Sequence, residues 1–290
     1  MELTDVMQLT LIGLSQGCGY AMVAIGFVFI YRATEIVNFS HGELMMLGAY
    51  MVLTFSQIVG LGFWLSAVLG ILSLGVFGYL LDAVVMRRMV GEAQTSIFIL
   101  TVAIGLILRS LAGMIWGWSP QALDVPFLID VNLGGVIVGM DRIGIIAGTA
   151  ILCVLLYVFF AKTQVGLAIQ AASQNQLAAY YNRIPVRRMI SVVWAIAAMV
   201  AAFAGVVMAP VTQIDTGMTA FGIKALAGAV VGGFGSIPGA LLGCLLIGVA
   251  EPFLDFLFPP FKGVFAYIIM LVVLFIKPAG LIPQTYSKKV

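Results

Sequence analysis

An all-α bundle of membrane-crossing helices is the fold this sequence predicts, and three observations predict it. Apolar runs recur along the chain at about 20 residues each, the length a helix needs to cross a hydrocarbon core. Of the 290 residues 62% are hydrophobic and only 9% charged, with a mean hydropathy of +1.15. A soluble domain carries roughly a quarter of its residues charged. The short alternating segments of a membrane β-barrel are not evident. The expected architecture is therefore a polytopic integral membrane protein with about eight apolar segments, one or two of them broken or re-entrant. Residues 1–290 read as a single transmembrane domain, because no connection between spans is long enough for a soluble one.

Helical spans are predicted at 8–31, 41–60, 63–86, 95–115, 142–161 and 189–210. The first stops at Arg32, and the second opens from a polar stretch into the apolar run LMMLGAYMVL. The third stops at Arg87 and Arg88, the fourth runs up to Trp116 and Trp118, and the fifth stops at Lys162. The sixth begins after Arg187 and Arg188. An interrupted apolar segment follows at 219–250, and a last span at 263–277.

Basic residues collect in alternate connections: Arg32, then Arg87 and Arg88, then Lys162, Arg183, Arg187 and Arg188, then Lys277, Lys288 and Lys289. The opposite set is acidic or neutral, with Glu2, Asp5, Asp124, Asp130 and Asp215. The positive-inside rule then puts the N-terminus outside and the C-terminus in the cytoplasm. The net charge of +2 is too small to suggest nucleic acid. Cys18, Cys153 and Cys244 lie far apart in apolar segments and the chain has one His, so no metal cluster is expected. The opening MELTDV has no basic stretch of the kind that begins a cleaved signal peptide.

The segment FGIKALAGAVVGGFGSIPGALLGCLLIG, 221–248, is long enough to cross a bilayer, yet Gly232, Gly233, Gly235, Ser236, Pro238 and Gly239 crowd its centre. A break at membrane depth survives only against protein or a water-lined cavity, because lipid cannot satisfy the freed backbone groups. Charge parity favours a re-entrant hairpin of two half-helices, since one continuous span would leave the lysine-bearing tail outside. The alternative is a continuous helix with a packing stripe of Gly228, Gly232, Gly235, Gly239 and Gly243.

The first half holds a counterpart in Asn38, Ser40, His41, Gly42 and Glu43. Asn38 or Ser40 can cap a helix start, and Glu43 would then meet the helix dipole. One reading is a cytoplasmic turn with a capped helix. The other is a second broken helix whose polar groups line a path. Two Gly-interrupted segments, one in each half, point to an inverted internal repeat around a central pathway. Arg109 and Lys224 near span ends are read either as snorkelling to the outer interface or as pathway charges.

The stretch Lys162–Arg188 is long for a connection. It is predicted to hold short helices at 167–172 and 174–181, with Pro185 interrupting before the next span. It serves either as a docking element for a partner or as an amphipathic interfacial helix. No G-x-x-x-x-G-K-[ST] motif occurs, so an ATP-driven process would need its motor on another chain. No enzyme assignment follows from one His and one Glu, and no catalytic residue is named.

Four blocks of sequence resemble the membrane permease subunits of branched-chain (hydrophobic) amino acid ABC importers. The first is Gly19-Tyr20-Ala21 with Ala24–Phe27, Asn38–Glu43 and Leu47–Tyr50; the second is Gly166-Leu167-Ala168-Ile169 with Ala171 and Gln174-Asn175. The third is Gly222–Ala225 through Gly232–Ala240, and the fourth is Phe275–Leu281. The second block departs from the family pattern at Gln170, usually Arg, and at Asn182-Arg183-Ile184, usually a Gly-Ile pair.

The resemblance implies a translocation path formed with a second, usually non-identical permease chain. Two cytoplasmic ABC ATPase subunits would carry ATP and Mg, with no cofactor on this chain, and an external solute-binding protein would deliver branched-chain amino acids or related small solutes. Gly166, Leu167, Ala168, Gln170, Ala171, Gln174 and Asn175 would couple the ATPase to the path, and location in a bacterial inner membrane is expected. The competing reading is a secondary transporter or facilitator acting alone, against which no span carries the paired acidic residues of an ion relay.

Overall fold

The computed structural model describes residues 3–126, 130–133 and 136–282, so Glu2, Lys288 and Lys289 lie outside the described residues. The chain is a helical bundle. In order it forms α1 (Leu3–Thr34), α2 (His41–Leu53), α3 (Phe63–Val84), α4 (Gln94–Trp116), α5 (Met140–Lys162), α6 (Gln164–Gln174), α7 (Gln176–Tyr181), α8 (Val186–Thr212), α9 (Thr219–Gly232), α10 (Ile237–Leu257) and α11 (Phe265–Ile276). Among the described residues, six of the helical stretches are long and apolar enough to cross a membrane. Between α4 and α5 lies a small antiparallel hairpin, β1 (Asp130–Leu133) on β2 (Val136–Gly139), which periodicity did not single out.

Centrally placed α2 is buried on every side, all but Glu43 and Met51 of its residues being enclosed. Small residues allow that. A Cβ on Gly48 would overlap Ala202 of α8, one on Gly205 would overlap the Met45 carbonyl, and one on Gly70 of α3 would overlap Val52. Lipid offers no hydrophobic drive between helices, so association rests on such close backbone approach. A π-helical turn, Thr54–Ile58, ends α2, and Trp116 Nε1 donates to Thr54 Oγ1 at 2.8 Å.

Two ends of the bundle can be told apart by what meets there. At one end, Tyr31 packs on Phe234, Phe29 on Phe160, and Gln176 Nε2 donates to the Ala33 carbonyl. Arg32, Arg87, Arg88 and Lys162 close their helices near this Arg32 end. Buried Asp82 accepts from Ser191 Oγ at 2.6 Å with Arg87 3.6 Å away, joining α3 to α8. At the other end Gln121 and Ile214 exchange backbone hydrogen bonds, and Asp215 caps a short 3-10 turn ahead of α9.

The interrupted segment does turn back on itself. Gly228 meets Cys244, and Gly232 meets Gly239, so α9 and α10 run antiparallel in tight contact. This excludes the continuous glycine-striped helix. The two arms are unequal rather than half-helices: α9 has 14 residues and α10 has 21, the latter long enough to span by itself. Gly233, at φ 113°, makes the turn, and Ser236 Oγ accepts from Gly239 N to cap α10. The carbonyls freed at the end of α9 are taken up by the tail, since Leu281 N donates to Val231 O and Ile282 N to Gly232 O, both at 2.9 Å. Backbone exposed by the turn at the Arg32 end is thus satisfied by protein.

Candidate functional site

The polar stretch before α2 is built into the bundle. His41 packs against Gly26 of α1, eight residues before Thr34, and Gly42 packs against Gly222 of α9, eleven residues before Gly233. At 1.5 Å per residue, α2 therefore starts about 12–16 Å in from the Arg32 end. Residues 35–40 carry the chain back to that depth without helix, which favours the broken-helix reading over a surface turn.

Asn38, Ser40 and His41 are all buried there. Asn38 Oδ1 accepts from Ser40 N at 3.2 Å and from Ser40 Oγ at 2.7 Å, forming a tight turn ahead of the helix. Ser40 occupies the N-cap position without a side-chain capping bond, because its hydroxyl is committed to Asn38. His41 stacks obliquely on Phe27, with centroids 4.7 Å apart, and neither ring nitrogen finds a partner among the described residues.

Glu43, in the first turn of α2, faces a cavity of about 230 Å³. Its walls come from four helices: Phe27 of α1, Gly42 and Glu43 of α2, Val102, Gly105, Leu106 and Arg109 of α4, and Thr219, Gly222, Ile223 and Leu226 of α9. The α4 residues recur at three- and four-residue spacing, so one helical face lines the chamber. Gly105 leaves room for the carboxylate, since a Cβ there would stand 3.1 Å from Glu43 Oε2.

Phe39 borders this chamber and two more. One, of about 570 Å³, lies toward the Arg32 end with Tyr31, Glu35, Gln94 and Phe98. The other, of about 240 Å³, lies with Val230, Phe234, Tyr267 and Met270. Phe39 meets Phe98 edge-on at 4.7 Å.

Sequence reasoning grouped Gly232, Gly233, Gly235, Ser236, Pro238 and Gly239 with the Asn38 stretch. In space the two meet through other residues. Gly42 touches Thr219 and Gly222 near the start of α9, whereas the turn at Gly233 packs on Ala279 and Ile282 of the tail. In these cavities Phe234 is the residue the turn contributes. Phe39 and Gly222 had no signal beyond their places in the family blocks. Lys224, read as a snorkelling or pathway charge, is instead ion-paired to Glu251 of α10.

Along the connection at the Arg32 end, α6 starts three residues ahead of the predicted short helix, and Asn175 separates it from α7. Thr163 Oγ1 accepts from Gly166 N, and Asn175 Oδ1 accepts from Ala178 N, so each helix has its own cap. Gly166 lies flush on Phe159 and Phe160 of α5, and Gln170 Nε2 donates to the Phe160 carbonyl at 2.9 Å. Ala168 is half-buried, and Leu167, Ala171, Gln174, Asn175, Leu177, Tyr180 and Tyr181 are exposed. Gln170 thus anchors the element to α5, while the exposed residues form its outward face.

Comparison with known proteins adds three findings. A family model described as the permease component of branched-chain amino acid transport systems matches residues 9–274. The high-affinity branched-chain amino acid transport system permease protein BraD of Pseudomonas aeruginosa is 30% identical, covering 100% of this chain and 99% of the relative. LivH of Escherichia coli K12, described in the same words, is 28% identical with 96% of both chains covered. Among solved structures, PsaBC from Streptococcus pneumoniae in complex with Fab shares the fold, at a TM-score of 0.51 and 17% identity over 94% of this chain and 92% of that one.

Proposed function

This chain belongs to the family of branched-chain amino acid transport permeases, and from that premise we propose that it forms a translocation path powered by separate ATPase subunits. An external binding protein would feed the path with branched-chain or other hydrophobic amino acids, and a second permease chain would complete it. The observation that carries this reading is the Asn38–Glu43 stretch: buried, polar, non-helical backbone at mid-depth, opening onto cavities that Phe39 separates. Membrane proteins tolerate such backbone where it serves a pathway.

Orientation follows from charge. Arg32, Arg87, Arg88, Lys162, Arg183, Arg187, Arg188 and Lys277 gather toward one end, which the positive-inside rule assigns to the cytoplasm of a bacterial cell. The N-terminus is then outside, and α6 with α7 faces the cytoplasm, where its exposed side chains meet an ATPase. ATP and Mg would sit on that partner.

The test is reconstitution of the assembled complex in proteoliposomes, with uptake of radiolabelled leucine, isoleucine and valine followed with and without ATP. Accumulation that requires ATP and the binding protein is expected. Equal accumulation with a catalytically disabled ATPase would overturn the reading in favour of a facilitator acting alone.

A further inference from the structure

We propose that the chamber between α2, α4 and α9 is a recognition site for the charged backbone of an aliphatic α-amino acid, with Glu43 receiving the ammonium group and Arg109 the carboxylate. This rests on the permease reading above and assigns roles within it.

The two side chains line one cavity of about 230 Å³ and carry opposite charge, yet they do not form an ion pair with each other. Neither is hydrogen-bonded to another described side chain; Glu43 feels the charge of Arg109 across the chamber, and Arg109 is exposed in this chain. A charge inside a bilayer is costly and normally finds a partner. The dipole of α2 accounts for the carboxylate at its first turn, but it gives no reason for Arg109 to line the same space. A zwitterion placed between them supplies what each lacks.

The remaining walls fit the other part of such a ligand. Phe27, Val102, Leu106 and Ile223 are apolar, and the glycines at 42 and 222 bring α2 and α9 into backbone contact along one wall. An amino acid cannot shed its hydration at this depth unless both charges are met, because an unpaired buried charge costs far more than an apolar side chain gains. One anion and one cation in an otherwise greasy chamber is the minimum set for that.

Two measurements on the complete complex test this. In the first, Glu43→Gln and Arg109→Gln each lower leucine uptake at saturating binding protein at least tenfold, while Glu43→Asp and Arg109→Lys stay within about threefold of the parent. In the second, which leaves both charges in place, Leu106→Cys in a Cys153→Ala background is labelled with N-ethylmaleimide during turnover. Leucine slows that labelling at least fivefold. Wild-type uptake in both glutamine variants would overturn the assignment. So would unchanged labelling in a complex that transports leucine. If the unaltered complex accumulates no branched-chain amino acid, the permease reading itself fails, and the assignment falls with it.

Discussion

Lys224 of α9 reaches Glu251 of α10 at 2.5 Å, and the second carboxylate oxygen accepts the Tyr20 hydroxyl of α1 at 2.9 Å. Glu251 is buried, with Pro252 directly after it, so one carboxylate joins three helices.

Removing one partner of this pair leaves the other charge stranded. Glu251→Ala should destabilise the protein by about 3–5 kcal/mol, whereas Lys224→Met combined with Glu251→Leu should cost far less. Thermal unfolding in detergent measures this, and equal loss in the single and double variants would show that the charges do not act as a pair.

The turn between α9 and α10 gives a second prediction. Gly233 holds φ 113°, and a Cβ there would stand 2.7 Å from the Ile282 carbonyl; one on Gly239 would press on Gly232. Gly233→Leu and Gly239→Leu should each lose transport and about 1–3 kcal/mol of stability, through strain and overpacking. Gly144, where an added Cβ would meet nothing within 4 Å, is the control: Gly144→Ala should be neutral. Thermal midpoints and uptake of the three variants decide it.

Much of this architecture was legible in the sequence, because apolar runs bounded by Arg and Lys report where helices cross. The turn at Gly233 was legible for the same reason, through charge parity and the weakness of a Gly-Pro run as helix. Other features were not. Glu251 looks like an isolated acid in an apolar run until α9 folds back and brings Lys224 to it. Gly222 reads as an ordinary helical glycine, yet it is where the two interrupted segments touch. Arg109 carries no local sign of its neighbour, since Glu43 stands 66 positions earlier in the chain (109 − 43) and only packing unites them. Long-range pairing of this kind has no period to detect.

At the Arg32 end, α6 and α7 offer a third prediction. Leu177 and Tyr181 are exposed at 65% and 75%, so replacing them removes only a surface ring contact between Tyr181 and Tyr180. Leu177→Asp with Tyr181→Asp should leave thermal stability within about 0.5 kcal/mol. ATP-driven uptake should fall at least tenfold as the partner ATPase dissociates, which co-purification reads directly. Retained ATPase with full uptake would remove these residues from the docking face. Gln170→Leu, by contrast, deletes the bond to the Phe160 carbonyl and should loosen α6 from α5.

Phe39 supplies the last prediction. Its edge-on contact with Phe98 lies where the Glu43 chamber meets the larger cavity toward the Arg32 end, and Phe39 lines both. Aromatic pairs of this geometry contribute about 0.5–1.5 kcal/mol beyond their buried area, small enough to open during a transport cycle. Phe39→Ala joins the two spaces permanently, whereas Phe39→Leu keeps an apolar plug without the ring contact. The alanine variant should let leucine leak down its gradient without ATP, and the leucine variant should leak less. Efflux from preloaded proteoliposomes measures both. Tight vesicles with Phe39→Ala would show that the barrier stands elsewhere, and would leave the Phe39–Phe98 contact a packing feature of α4 against the broken start of α2.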